Sequence, residues 1–211
     1  MVLEGYREWT ESLGSDREWK IQAVQGELDK ISSLKASECE AFYLPTRRDV
    51  LTFILNNVDI NCFENVVKEI EKASPVPLKV IVGYGRTPLE ALWNPLEEGE
   101  EGPVTAVHVD IDHISVRPHY LGYVEAVGMF DTLVKMALPL GGVVSYLGGD
   151  NVIAFLGKEE AFSFASSVLN LFKEVKIGIG IGKRPREAVA KAAEGLRIAR
   201  EERGERIVTV Y

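Results

Sequence analysis

Residues 78–92, LKVIVGYGRTPLEAL, align without a gap on residues 175–189, VKIGIGIGKRPREAV, at an offset of 97. Six of the fifteen pairs are identical: Lys79/Lys176, Gly83/Gly180, Gly85/Gly182, Pro88/Pro185, Glu90/Glu187 and Ala91/Ala188. A second pair of segments precedes the first in both halves. Tyr43-Leu44-Pro45-Thr46-Arg47-Arg48-Asp49-Val50-Leu51 answers to Tyr146-Leu147-Gly148-Gly149-Asp150-Asn151-Val152, with Asp49 matching Asp150 and the first turn two residues longer. Two matches in the same order predict a duplication. The halves meet in the acidic linker Glu97-Glu98-Gly99-Glu100-Glu101-Gly102-Pro103, which predicts units over 1–96 and 104–211.

Periodicity and chain-breaking residues give the elements of each unit. The first reads as strand 2–6, helix 16–35, a hairpin over 39–44 and 49–56, helix 61–73, strand 78–84 and helix 87–93 entered through Pro88. The second reads as strand 104–111, helix 121–138, hairpin 142–156 turning at Gly148-Gly149, and helix 159–172. Strand 175–181, helix 185–203 and a last strand 206–210 complete it. Two copies of this pattern predict an α+β fold of two tandem ferredoxin-like units, antiparallel sheets covered by helices. A hairpin in mid-unit argues against a doubly wound Rossmann sheet.

Composition narrows the function. With 211 residues, 46% hydrophobic and 27% charged, the chain can build a core and is no disordered tail. Its net charge of −8 repels nucleic acid and anionic membrane, so a phosphate ligand needs a local basic patch or bound cations. No apolar run approaches the roughly 20 residues of a spanning helix, and Met1–Arg7 has no signal-peptide pattern. Cys39 and Cys62 suggest neither a disulfide framework nor a zinc element. These features predict a soluble cytoplasmic protein.

The chemistry concentrates in His108-Val109-Asp110-Ile111-Asp112-His113. Strand alternation sets His108, Asp110 and Asp112 on one face and Val107, Val109 and Ile111 on the other. Two carboxylates repel by about 4 kcal/mol at 4 Å and an effective dielectric near 20. A divalent ion removes that repulsion, and hard oxygen ligands suit Mg²⁺. The plain alternative is a strand end whose acids meet solvent. The hairpin supplies another acid, Asp150, beside Gly148 and Gly149, which make the turn tight and open. In a ferredoxin-like sheet the first strand and this hairpin are neighbours, so Asp110 and Asp150 can face one ion. Histidines 108, 113 and 119 show no zinc spacing. Gly178, Gly180 and Gly182 share a strand face that admits a helix, or else a purine. Lys183, Arg184, Arg186 and Lys191 form a basic cluster that reads as a solvated helix start or a triphosphate contact.

The stretches VHVDIDHIS (107–115), YLGGDNVIAFL (146–156), VKIGIGIG (175–182) and AAEGLRIARE (192–201) together resemble the palm-type nucleotidyl domains of diguanylate cyclases and class III nucleotide cyclases. Asn151 stands where the GGDEF pattern has Glu, so one metal ligand of those cyclases is missing. The chain is more similar to the archaeal GTP cyclohydrolase III (GTP cyclohydrolase IIa) family, with tandem palm units and a Gly-Gly-Asp-Asn hairpin in the second. Its opening fits too: Tyr6, Trp9-Thr10, then Arg17-Glu18 and Gln22-Ala23-Val24-Gln25. That resemblance implies a Mg²⁺-dependent enzyme, activated by a monovalent cation such as K⁺ and free of zinc. It implies opening of the guanine imidazole ring of GTP to a formylaminopyrimidine nucleotide monophosphate and two phosphates, for flavin or deazaflavin synthesis, by a homo-oligomer. Carried residue by residue, the metal ligands are Asp110 and Asp150 with the Ile111 carbonyl and, more weakly, Asp112. His108 is the acid/base candidate; Gly148, Gly149, Asn151, Lys183 and Arg200 are substrate contacts, Arg200 at the γ-phosphate. Glu4 and Asp49 are the secondary candidates of the first unit. A nucleotidyl cyclase-like palm enzyme and a GTP-binding module without turnover remain the alternatives.

Overall fold

The computed structural model describes residues 1–111, 117–202 and 204–211. The chain divides into two compact units, Met1–Val82 and Gly83–Tyr211. Residues 83–96, expected in the first unit, therefore group with the second. There the Leu89 N–H donates to the Gly141 carbonyl at 3.0 Å.

The first unit opens with strand β1 (Val2–Leu3) and helix α1 (Tyr6–Ser12). The expected strand 2–6 stops early because Gly5, at φ 73°, turns the chain into α1. Helix α2 (Arg17–Glu38) follows, burying Leu28, Ser32 and Ala36 at a spacing of four. Strands β2 (Phe42–Leu44) and β3 (Thr52–Ile54) form the hairpin, helix α3 (Ile60–Ala73) starts on its Asp59 cap, and β4 (Leu78–Lys79) closes the unit. The Asp59 side chain accepts from the Asn61 N–H. β1 pairs antiparallel with β4, and β2 with β3. Between them, the Leu51 N–H donates to the Met1 carbonyl at 2.9 Å and the Leu3 N–H to the Asp49 carbonyl at 3.1 Å. The two pairs stay separate two-stranded sheets, linked by these bonds and a bridge between Val2 and Val50, and together follow the ferredoxin-like order β4-β1-β3-β2 in fragmentary form. The strand expected over 78–84 ends at Lys79 because β1 offers it only two partners. Leu3, Leu28, Tyr43, Leu51, Phe63, Val66 and Ile70 fill the core. Cys39 and Cys62, which suggest no disulfide framework in the sequence, form a disulfide with Cα atoms 5.8 Å apart. Packing of α3 beside the end of α2 brings together cysteines 23 residues apart, which linear spacing does not reveal. The bridge also removes the cysteine-based argument for a reducing compartment.

In the second unit, helix α4 (Pro88–Trp93) precedes β5 (Val104–Ile111), α5 (His119–Ala137), β6 (Val143–Gly148) and β7 (Asn151–Leu156). Helix α6 (Lys158–Leu171), β8 (Val175–Gly182), α7 (Pro185–Glu201) and β9 (Ile207–Val210) complete it. The sheet runs β6-β7-β5-β8-β9, with β9 parallel to β8 and every other neighbour antiparallel. Its first four strands have the ferredoxin-like order, as expected. Val107 and Val109 pack into a core with Met129 and Leu133 of α5 and Phe164 and Val168 of α6. α7 lies on the other face, against the glycines of β8. A Cβ on Gly178 would stand 1.9 Å from the Ala192 carbonyl oxygen, and one on Gly180 2.0 Å from that of Ala188. Helix packing, rather than purine binding, accounts for this glycine stripe. Among the described residues no helix is long and apolar enough to cross a membrane.

The duplication is visible in local geometry. A Cβ on Gly83 would meet the Ala91 carbonyl, as one on Gly180 meets that of Ala188. Gly85 stands in the same relation to the Ala91 nitrogen as Gly182 to that of Ala188. Glu90 Oε2 accepts from the Arg86 N–H and Glu187 Oε2 from the Lys183 N–H, each at 2.7 Å. The same strand end, reach-back glutamate and helix start occur at the offset read from the sequence.

Candidate active site

β5 carries His108 and Asp110 on the face covered by α7. Its register sets His108 opposite Gly178 and Asp110 opposite Lys176 on β8, with Asp110 opposite Asn151 on β7. Side chains opposite one another in an antiparallel pair share a face, so His108, Asp110 and Asn151 gather at one end of the sheet. The hairpin loop is Gly149-Asp150, one residue later than expected, because β6 runs through Gly148. Gly148 has φ 101° and Gly149 φ 62°, values that only glycine adopts readily. No atom lies within 4 Å of a Cβ built on either, so the turn is open as its sequence predicts. The Tyr146 hydroxyl donates to the Gly149 carbonyl at 2.8 Å and braces the loop. The Asp150 carbonyl accepts from the Ile111 N–H at 3.2 Å, which ties the hairpin tip to the end of β5.

Polar contacts then run across the site. Asn151 Nδ2 donates to Asp150 Oδ1 at 2.5 Å, and Asn151 Oδ1 lies 2.9 Å from His108 Nε2. Burial pushes the His108 imidazole below its ordinary pKa, opposed by Asn151 and the nearby acids, so it is neutral at physiological pH. Asp110 is only 3% exposed. Its carboxylate is gripped by both Arg200 Nε, at 3.2 Å, and Arg200 Nη2, from the last turn of α7. Arg200 is thus an ion-pair partner of the acid expected to bind metal. Spacing gives no sign of this, since the partners are 90 residues apart; only hydrogen-bonding chemistry between two strand-end and helix-end charges could have suggested it. Tyr146 as a brace was equally unread, although an aromatic hydroxyl three residues before a glycine turn is a usable sign.

The remaining expected residues fall elsewhere or outside view. Asp112 lies outside the described residues. Lys183 follows the far end of β8, about 23 Å of strand from Lys176 at roughly 3.3 Å per residue, so the structure does not bring it to the acids. In the first unit Glu4 follows β1 and is exposed. Asp49 sits in the hairpin loop, held by Arg47 at 2.9 and 2.5 Å. Arg48 pairs with Asp29. Both arginines of that longer turn are therefore engaged with carboxylates of their own unit.

Among the described residues no group of three or more His, Cys, Asp and Glu side chains is arranged to hold a metal ion. Mg²⁺ does not require one. It commonly takes one or two carboxylates and completes its shell with water and phosphate oxygens. A buried carboxylate that already recruits a cation, with Asp150 and the Ile111 backbone close by, is a donor set of oxygens that fits this ion.

Sheet order and helix layers define the second unit as a ferredoxin-like α+β domain with an acid-bearing hairpin beside the first strand's end. The model of the GTP cyclohydrolase III family matches residues 1–98 and 93–211. The GTP cyclohydrolase III of Sulfurisphaera tokodaii is 38% identical over 217 residues, covering 99% of this chain and 95% of its relative. That of Saccharolobus solfataricus is 32% identical over 220 residues, covering 95% and 93%. The chain belongs to the GTP cyclohydrolase III family. Among solved structures, the active GGEEF domain of a diguanylate cyclase from Vibrio cholerae is 15% identical at a TM-score of 0.44, covering 52% of this chain and 83% of that one.

Proposed function

We propose that this chain is a GTP cyclohydrolase whose chemistry takes place at the Asp110–Asp150 end of the second unit. The observation that carries the reading is the convergence there of two carboxylates, a neutral histidine and a guanidinium. In the proposed reaction water adds at C8 of guanine and the C8–N9 bond breaks. The formyl group stays on the former N7, and the ribose keeps the former N9 as an amine. Two further waters cut the triphosphate to the monophosphate and two phosphates. The product is 2-amino-5-formylamino-6-ribosylaminopyrimidinone 5'-monophosphate.

The proposed cofactor is Mg²⁺, held by Asp110, Asp150 and the Ile111 carbonyl, with Asp112 a further candidate and K⁺ the proposed activator. When bound, Mg²⁺ supplies charge neutralisation at the phosphates and lowers the pKa of coordinated water. The chain's own residues do the rest. Arg200 releases Asp110 and offers its guanidinium to the triphosphate, a planar fork suited to phosphate oxygens. His108, neutral and half-buried, takes a proton from the attacking water. The bare Gly148-Gly149 turn lets substrate approach the backbone. Lys183 has no part in this constellation.

Incubation with GTP and Mg²⁺, read by mass spectrometry and ³¹P NMR, tests the proposal. The expected result is a ring-opened formyl product with two phosphates per GTP. A cyclic or dinucleotide product with pyrophosphate makes the protein a cyclase-like enzyme. Unchanged GTP with measurable binding makes it a binding module.

A further inference from the structure

We propose that Asn151 is a positioning residue that fixes the tautomer of His108, keeping its proton on Nε2 and leaving Nδ1 as a bare lone pair. What this does for the reaction rests on the reading of His108 as proton acceptor, but the geometry stands by itself.

The inference starts at Asp150. An ionised carboxylate only accepts hydrogen bonds, so the edge of Asn151 lying 2.5 Å from Asp150 Oδ1 is its NH₂ group. The amide oxygen then points the other way, 2.9 Å from His108 Nε2. An amide oxygen only accepts, so Nε2 carries the proton. In the neutral ring Nδ1 therefore has none. That atom is buried and has no hydrogen-bond partner among the described residues. A buried acceptor without a donor costs stability, and such departures gather where a site is prepared for chemistry. Nδ1 is then the ring atom with a free lone pair.

The residue type matters. Asn151 is opposite Asp110, and His108 lies two positions back on β5, so the side chain reaches the ring diagonally. An amide can donate to a carboxylate at one end and accept from an imidazole at the other. A carboxylate at 151 faces Asp150 with like charge and draws a proton onto His108. An aliphatic side chain leaves both partners unbound and the tautomer unspecified.

Long-range ¹H–¹⁵N correlation spectra of the imidazoles, at about pH 8 where an ordinary histidine is neutral, test this. The chain has three histidines, and loss of a signal in His108→Gln assigns the one concerned. The expected wild-type signal is the Nε2–H tautomer alone, giving way to a mixture of both in Asn151→Leu and Asn151→Ala. Should the leucine variant fail to fold by circular dichroism, the alanine variant carries the comparison. With GTP and Mg²⁺, kcat of Asn151→Ala is expected to fall about 10- to 100-fold, with KM for GTP little changed. A wild-type Nδ1–H tautomer, or a tautomer that ignores both substitutions, overturns the proposal. So does a raised KM with unchanged kcat, which makes Asn151 a substrate contact. The expected spectra from a protein that never turns GTP over leave the positioning role intact and strike the cyclohydrolase reading instead.

Discussion

Asp110 carries a charge at 3% exposure, balanced by an Arg200 whose side chain remains 47% exposed. Removing either partner has unequal consequences. Arg200→Gln takes the guanidinium from a buried carboxylate, which costs about 1–3 kcal/mol or more for a charged group, whereas Asp110→Asn leaves a guanidinium that water can solvate. Arg200→Gln is therefore expected to lower the melting temperature, and Mg²⁺ to restore more of it than the ion adds to the wild type. Equal Mg²⁺ responses in thermal melts of the two proteins contradict the counter-ion role. His108 supplies a pH signature. Its folded pKa is depressed by burial, against about 6.5 unfolded. Below that value the unfolded chain binds a proton that the native chain refuses, so stability is lost as the pH drops below about 6.5 and is flat above it. Melting curves between about pH 5.5 and 8 should show this slope, weakened in His108→Gln; an unchanged slope assigns it to other groups. At this scale the sequence showed what alternation and turn chemistry control. The shared face of His108 and Asp110, and the open Gly-Gly turn presenting Asp150, follow from periods of two and from glycine. The Asp110–Arg200 pair did not, because no local rule links a strand end to a helix end far along the chain.

The helix α7 sits on β8 through glycines, with backbone where side chains ordinarily intervene. Gly178→Ala is expected to lift α7, since its Cβ would meet the Ala192 carbonyl at 1.9 Å and the Leu196 nitrogen at 2.4 Å. Overpacking of this kind costs about 1–3 kcal/mol or more, readable in urea unfolding; a neutral effect would mean the helix is not seated there. Because α7 also carries Arg200, the substitution should weaken GTP binding too. In the first unit the Cys39–Cys62 bridge closes a loop over a separation of 23 residues. By loop entropy it contributes about 3 kcal/mol. Reduction, or Cys39→Ala with Cys62→Ala, is expected to lower that unit's stability accordingly. The elements of the second unit were legible because each has a strong period and clean breakers. Those of the first were less so. Gly5 turned an expected strand into a helix entry, and β4 is short because strand length depends on a partner, which the segment's own residues do not encode.

Across the whole chain the repeat holds in its local geometry, yet the two halves differ in strand length, in the turn and in the placing of their acids. The second unit has a five-stranded sheet, an open two-glycine turn and two acids near one strand end. The first has short strands, an exposed Glu4, and a turn whose Arg47 already neutralises Asp49. The offset between repeats was readable from identical residues, as was the ferredoxin-like order from the hairpin in mid-unit. The border was not: residues 83–96 follow the packing of α4, which composition of the acidic linker does not report. The central claim is that chemistry belongs to the second unit, and turnover of GTP by Asp150→Asn and Asp49→Asn, each checked for fold by circular dichroism, tests it most directly. The account predicts a loss of kcat of at least about 100-fold in Asp150→Asn and near-normal turnover in Asp49→Asn. An active Asp150→Asn beside a dead Asp49→Asn would move the reaction to the first unit and contradict the account.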